Sequence, residues 1–216
     1  MEYRNVAILF ALFMSATCFP QKQLERSWDA AAIHTVAIES DDLYTIKISS
    51  EERTNIQLSV SVEGETYQHL LLKTSEVPDR VPNGKRLLQI ETGFTPFFQR
   101  ADDKLAAHKV LAVEMVLVVP EGISVQIESK SASVHASGKY GAITARLETG
   151  RCVFSKFSGN ASLQTKQGDI EIAAHSATAG SVSSIYGKVK NHLPDSGRYT
   201  ISAESVWGNI SLTQTE

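Results

Sequence analysis

The chain has 216 residues, with 21 Lys and Arg against 24 Asp and Glu, which gives a formal net charge of -3 at neutral pH. A slightly acidic chain lacks the basic field that nucleic acids require, so we expect no nucleic-acid partner. An aromatic content of 7% is too low for a platform on which successive bases of a single strand could stack.

Residues 1–21 have the pattern of a secretory signal peptide. Arg4 precedes a continuous apolar run, Val6 to Met14, and the small residues from Ser15 to Thr17 follow it. The run is shorter than the roughly 20 residues that span a bilayer as a helix. The pattern therefore predicts export to the periplasm or the cell surface, with no transmembrane span in the mature chain. The alternative is a buried N-terminal strand or helix.

The chain has two cysteines, and each has its own interpretation. Cys18 follows the apolar run, where a bacterial lipoprotein carries its lipid anchor, but Ser15 and Thr17 depart from the usual lipobox. Lipidation at Cys18 is therefore a minor alternative to simple cleavage of the signal. Cys152 lies at an inward position of the repeat described below, which is typical of a small buried hydrophobe rather than a reactive thiol.

Residues 22–119 are predicted to be rich in β-strands but to lack a repeat. Alternating apolar residues mark most of these strands, and Asn83-Gly84 marks a tight turn. Residues 94–106 are expected to form a loop with a helical turn near Asp102 to Ala107. The predicted strands start near Val36, Leu43, Ile56, Tyr67, Leu87 and Val110.

The densest aromatic cluster of the sequence lies in that loop, at Phe94, Phe97 and Phe98. Exposed aromatic side chains would form an interaction patch for sugars or a protein. Alternatively, the loop folds back and covers an open end of the core, because open strand edges are normally covered. The sequence leaves both interpretations open.

A ladder of glycines nine residues apart dominates residues 120–216. Gly141, Gly150, Gly159 and Gly168 are each followed, two and four places later, by an apolar pair. Both members of such a pair point to one face of a strand. Each unit predicts a strand of about five residues and a turn of about four. One unit cannot bury its apolar face alone, so the units must stack on one another.

Two architectures can hold a nine-residue repeat, a meander of antiparallel hairpins or a right-handed β-solenoid. Single glycines on a fixed spacing, rather than Asn-Gly turns, favour the solenoid. Each unit then lies above the unit two places on, eighteen residues away. The sequence thus predicts an all-β fold in which 22–119 and 120–216 form one continuous domain, and the expected stacked pairs are Ile143/Ala161, Cys152/Ile170 and Phe154/Ile172.

The repeat carries no evident chemistry. A calcium β-roll needs an acidic residue at each turn, and only Gly168-Asp169 supplies one. Acidic pairs such as Asp41-Asp42 are expected to be solvated. No two of the six histidines have local metal-ligand spacing, and no catalytic motif occurs. We therefore expect no metal, no cofactor and no catalytic residue.

The segments Ser158 to Leu163, Gln167 to Ile172 and Trp207 to Leu212 resemble the secreted β-strand-repeat proteins of Bacteroidota-type bacteria labelled "putative adhesins", related to the head-GIN domain. The resemblance implies a non-enzymatic cell-envelope protein with an adhesin-like binding scaffold, whose partners are envelope glycans or proteins. The alternatives are a periplasmic accessory or sensor protein that acts through protein contacts, and a polysaccharide-active β-helix enzyme.

Overall fold

The computed structural model describes residues 22–63, 69–78, 85–95 and 112–215. These ranges hold fifteen β-strands and no α-helix, so the predicted all-β class is confirmed. No helix in them is long and apolar enough to cross a membrane. The predicted signal peptide, the Asn83-Gly84 turn and most of the predicted loop at 94–106 lie outside the described residues.

The strands follow one another with short connections for most of the chain. Their bounds are β1 Lys22–Asp29, β2 Ile33–Glu39, β3 Thr45–Glu51, β4 Asn55–Glu63, β5 Leu70–Pro78, β6 Arg86–Phe94, β7 Ala112–Pro120, β8 Ser124–Ser129, β9 Ser133–Thr149, β10 Cys152–Gln167, β11 Ile170–Ala174, β12 Thr178–Ser184, β13 Val189–Asn191, β14 Tyr199–Trp207 and β15 Ile210–Gln214.

The strands pair in two rows that share β9 and β10. The first row has the order β5-β6-β2-β8-β9-β10-β14-β12, and the second has the order β1-β4-β7-β3-β9-β10-β11-β15-β13. The N-terminal halves of β9 and β10 belong to the second row and their C-terminal halves to the first. From β2/β3 onward the neighbouring strands are parallel, whereas β1, β4 and β5 pair antiparallel at one end.

Neighbouring repeat strands are offset by eighteen residues. Ile143 pairs with Ala161, Cys152 with Ile170, and Phe154 with Ile172, each in parallel register. These are the three pairs expected if alternate units stack. The strand lengths differ from the expectation, because β9 has 17 residues and β10 has 16, and each runs through two units. β9 and β10 stay paired with each other where they pass from the second row to the first, and the register between them shifts between Ser155 and Asn160 of β10.

The core lies between the inward faces of the two rows. Along β7, Val113, Met115, Leu117 and Val119 are fully buried and alternate with half-buried residues, as expected for a strand with one face in the core. One cluster of buried hydrophobic side chains contains residues of β2 to β11, β14 and β15. Each fully buried aliphatic side chain contributes about 1.5–3 kcal/mol relative to exposure, and this burial holds the rows together.

Glycines are required where the backbone of one turn meets the next. Gly150 has φ +126°, and a Cβ atom built on it would lie 2.8 Å from the carbonyl carbon of Ala132, eighteen residues earlier. A Cβ on Gly168 would likewise lie 2.6 Å from the carbonyl carbon of Gly150. The spacing of these glycines therefore reflects backbone-to-backbone contact between successive layers, and any side chain would force the layers apart.

After Gly159, Gly168 and Gly208, an Asn or Asp side chain joins neighbouring layers. Asn160 Oδ1 accepts a hydrogen bond from the backbone amide of Thr200 at 3.0 Å. Asp169 Oδ1 accepts one from the amide of Asn209 at 2.7 Å, and Asn209 Oδ1 accepts one from the amide of Lys188 at 2.9 Å. In all three, one side-chain oxygen accepts the hydrogen bond, so Asp169 performs the same structural role as Asn160 and Asn209. This explains why Asp169 does not indicate calcium.

The order of layers at the C-terminal end differs from the order in sequence. β14 and β15 are the last strands of the chain, yet they lie between β10/β11 and β12/β13, because β14 pairs with both β10 and β12. At the other end, β2 and β3 pair with β8 and β9, so the N-terminal strands extend the same two rows.

Candidate functional site

An open groove of about 900 Å³ lies across the outward face of the first row. It spans seven neighbouring strands, from β6 to β12. Its lining is mostly polar and charged: Glu39, Ser40, Asp41, Asp42, Glu91, Thr92, Glu128, Ser129, Lys130, Arg146, Leu147, Glu148, Gln164, Thr165, Lys166, Ser183, Ile185, Glu204, Ser205 and Val206.

Seven lining residues form one line across these strands, which we call the groove ladder. Each is the register partner of the next, and neighbouring strands are about 4.8 Å apart. Side chains alternate along a strand, so one register position presents all seven to the same face. In spatial order the ladder is Glu91, Glu39, Glu128, Arg146, Gln164, Glu204 and Ser183.

Three carboxylates are consecutive in the groove ladder. Glu91, Glu39 and Glu128 lie on β6, β2 and β8, where like charges on directly paired residues destabilise a sheet. Glu91 Oε1 accepts a hydrogen bond from Gln89 Nε2 at 2.8 Å, and the Glu39 carboxylate has no hydrogen bond or ion pair with any described residue. Sheet stability does not explain this arrangement, so it is a candidate for a role in binding.

The remaining groove ladder contains hydrogen-bonded pairs. Arg146 Nη1 lies 2.8 Å from Glu128 Oε1, and Gln164 Nε2 donates to Glu204 Oε2 at 3.2 Å. At the rim, the exposed Lys130 ammonium forms a hydrogen-bonded ion pair with the Asp41 carboxylate. The hydrogen bond and the negative charge of Asp41 both raise the pKa of Lys130. These pairs leave most groove carboxylates facing solvent, so the surface is net acidic.

An exposed aromatic pair lies at the β12 end of the groove. The rings of Tyr186 and Trp207 stack with centroids 3.9 Å apart and planes inclined by 16°. Tyr186 is 64% and Trp207 56% exposed, and the adjacent Ile185, which lines the groove, is 66% exposed. The Tyr186 amide donates to the carbonyl of Val206, which also lines the groove, at 3.0 Å. The stack therefore lies next to Ile185 and Val206 along the chain, and neither Tyr186 nor Trp207 itself lines the groove.

Of the residues that the sequence suggested for binding, only Phe94 is described, and it does not line the groove. Phe94 ends strand β6 rather than lying in a loop, and it packs partly buried against the core. Phe97, Phe98 and Cys18 lie outside the described residues, so the aromatic patch and the lipid anchor stay predictions. Cys152 is fully buried, and its burial raises the thiol pKa to about 12, which suppresses the reactive thiolate at neutral pH.

Sequence reasoning missed the groove because its residues come from distant parts of the chain. It expected Asp41-Asp42 to be solvated and assigned the pair no role, and both residues line the open groove. Only the pairing of β2 with β6 and β8 brings the three glutamates together. No group of three or more His, Cys, Asp or Glu within the described ranges could hold a metal ion.

Comparison with known proteins shows a shared fold. No family model and no curated protein matches the chain. A crystal structure of a putative cell adhesion protein from Clostridium sporogenes covers 91% of this chain and 100% of its own, with a TM-score of 0.67 and 11% sequence identity. A putative adhesin from Bacteroides fragilis covers 90% of this chain and 98% of its own, with a TM-score of 0.36 and 10% identity. At such identities the first likeness extends to the fold alone.

Proposed function

We propose that this chain is an exported, non-catalytic cell-envelope protein with an adhesin-like scaffold that binds its partner in the outward groove. The observation that carries the proposal is the groove ladder, because it places consecutive like charges where they weaken the sheet. Proteins retain such destabilising arrangements mainly at functional surfaces. The apolar run from Val6 to Met14 supports export.

The scaffold in this proposal is a right-handed β-solenoid. The parallel pairs at eighteen-residue offsets and the close contact between Gly150 and Gly168 support it. The right-handed sense follows from the strong preference for right-handed crossovers between parallel strands. A stack of this kind presents a long, rigid outward face, which suits attachment to an extended partner better than enclosure of a small molecule.

A polysaccharide-active enzyme is the second candidate, because Glu39 and Glu91 are direct register partners. Retaining glycosidases place their two carboxyl groups about 5–5.5 Å apart, close to the spacing of neighbouring strands. We expect no turnover, because binding alone accounts for an open and largely solvated surface. Release of reducing ends or unsaturated products from envelope polysaccharides, lost in Glu39→Gln, would establish the enzyme instead.

Binding to envelope material tests the main proposal. Purified chain is mixed with washed envelope fragments and sedimented, and the bound fraction is compared with that of the double variant Glu39→Gln/Glu91→Gln. We expect the double variant to lose most of the binding. The matched control is Glu52→Gln/Glu171→Gln, which removes the same charge at exposed positions outside the groove. Equal sedimentation of all three proteins would reject the groove as the binding surface.

A further inference from the structure

The Tyr186–Trp207 stack is the largest exposed aromatic feature among the described residues. Ile185 directly precedes Tyr186 in the chain, and each of these three apolar side chains is more than half exposed. Apolar clusters of this kind on a soluble surface usually mark a binding site. Because each ring covers one face of the other, the outer faces of the stack are free to receive a flat apolar surface.

The groove restricts what that surface can belong to. The stack follows directly after Ile185 and Val206, which line the groove at its β12 end. From β6 to β12 the groove crosses six strand intervals, a length of about 29 Å at about 4.8 Å each. An occupant that also reaches the aromatic stack is therefore an extended chain.

The charge of the groove selects among extended chains. The groove lining contains seven carboxylates and three basic side chains, so its net charge is -4. Two of the three basic side chains already form ion pairs with carboxylates of the lining. The field favours an occupant with positive groups and disfavours uronates, sulfates and phosphates. Glu39 offers a carboxylate without a partner among the described residues.

We propose that the groove binds a polysaccharide that carries free amino groups. The C–H face of a sugar ring packs on the Tyr186–Trp207 stack at one end. The ammonium groups of sugars near the other end, four and five strand intervals from β14, pair with Glu39 and Glu91. This assignment rests on the proposed function and adds the class of ligand. A basic peptide fits less well, because the groove lies on the face of a sheet whose backbone groups pair with neighbouring strands, so a peptide has no strand edge to extend.

Calorimetric titration of the purified full chain with a glucosamine hexamer tests the proposal in slightly acidic solution, where the sugar amines are protonated. We expect binding to the hexamer that weakens as salt is added, and little binding to the N-acetylglucosamine hexamer, which has the same rings without the charge. Glu39→Gln/Glu91→Gln and Trp207→Ala should each weaken binding by roughly tenfold or more.

Matched controls separate the groove from general surface effects. Glu52→Gln/Glu171→Gln and Tyr44→Ala change equally exposed residues outside the groove and should leave the affinity within about twofold. Circular dichroism confirms that each variant is folded. Failure to bind the glucosamine hexamer, equal binding of the acetylated hexamer, affinity unchanged in both groove variants, or tighter binding of an oligolysine peptide would each overturn the proposal.

Failure of the amino-sugar assignment is distinguishable from failure of the proposed function. Envelope sedimentation that depends on Glu39 and Glu91, combined with no affinity for the glucosamine hexamer, would retain the binding scaffold and reject the amino-sugar ligand. Loss of both would reject both proposals.

Discussion

Replacement of Gly150 by alanine tests the layer contact that sets the repeat. A Cβ atom at this position would lie 2.8 Å from the carbonyl carbon of Ala132 and closer still to its oxygen, whereas ordinary contacts begin at 3.4 Å. The neighbouring backbone must therefore move by at least about 0.6 Å, an overpacking that costs about 1–3 kcal/mol. The φ of +126° adds about 1–3 kcal/mol for a residue with a side chain.

Together these terms predict that Gly150→Ala lowers the free energy of unfolding by about 2–6 kcal/mol, which lowers Tm by about 4–24 °C for a chain of this length. Gly93→Ala is the control, because a Cβ atom at Gly93 meets no atom within 4 Å. It should change stability by less than about 1 kcal/mol. Thermal melting followed by circular dichroism measures both. Equal melting of the two variants would refute the layer contact as the reason for the glycine spacing.

Three further substitutions test the core and the joints between layers. Ile170→Asp places a charge at a fully buried position and should lower the free energy of unfolding by more than about 4 kcal/mol. Ile170→Val should lower it by about 0.5–1.5 kcal/mol. If urea unfolding gave the two variants equal stability, Ile170 would lie outside the core. Asp169→Ala removes the acceptor of the hydrogen bond from the Asn209 amide and should lower the free energy of unfolding by about 1–2 kcal/mol in the same assay. Asp169→Asn keeps an acceptor and should lower it less. Equal losses of stability would show that this hydrogen bond does not contribute. In a Cys18→Ser variant, the Cys152 thiol, whose pKa is raised to about 12, should react with a thiol reagent at pH 8 only after unfolding; rapid reaction of the native protein would contradict its burial.

The nine-residue spacing predicted local pairing well, because glycine positions and apolar pairs are set by contacts between adjacent layers. Ile143 pairs with Ala161, as alternate stacking requires. The expected length of about five residues holds for β11 and β15 but is wrong for β9 and β10, which keep pairing with the neighbouring layer where a turn was expected.

The layer order could not be predicted from the sequence. β14 lies between β10 and β12, so residues 40 positions apart, such as Ala161 and Ile201, are neighbours. An apolar pair on a repeat strand fits any similar layer, and nothing in the local pattern specifies which neighbour it meets. The same limit hid the groove, because Glu39, Glu91 and Glu128 meet only through pairing between distant strands.

Protease treatment of intact cells that produce this chain, with a periplasmic protein as the internal control, tests the central claim of an exported envelope scaffold most directly. The account predicts that the chain is degraded while the periplasmic control survives, which places the groove at the cell surface. Protection of both would favour the periplasmic accessory role. Recovery of the chain with cytoplasmic proteins, and with Val6 to Met14 still attached, would contradict the account.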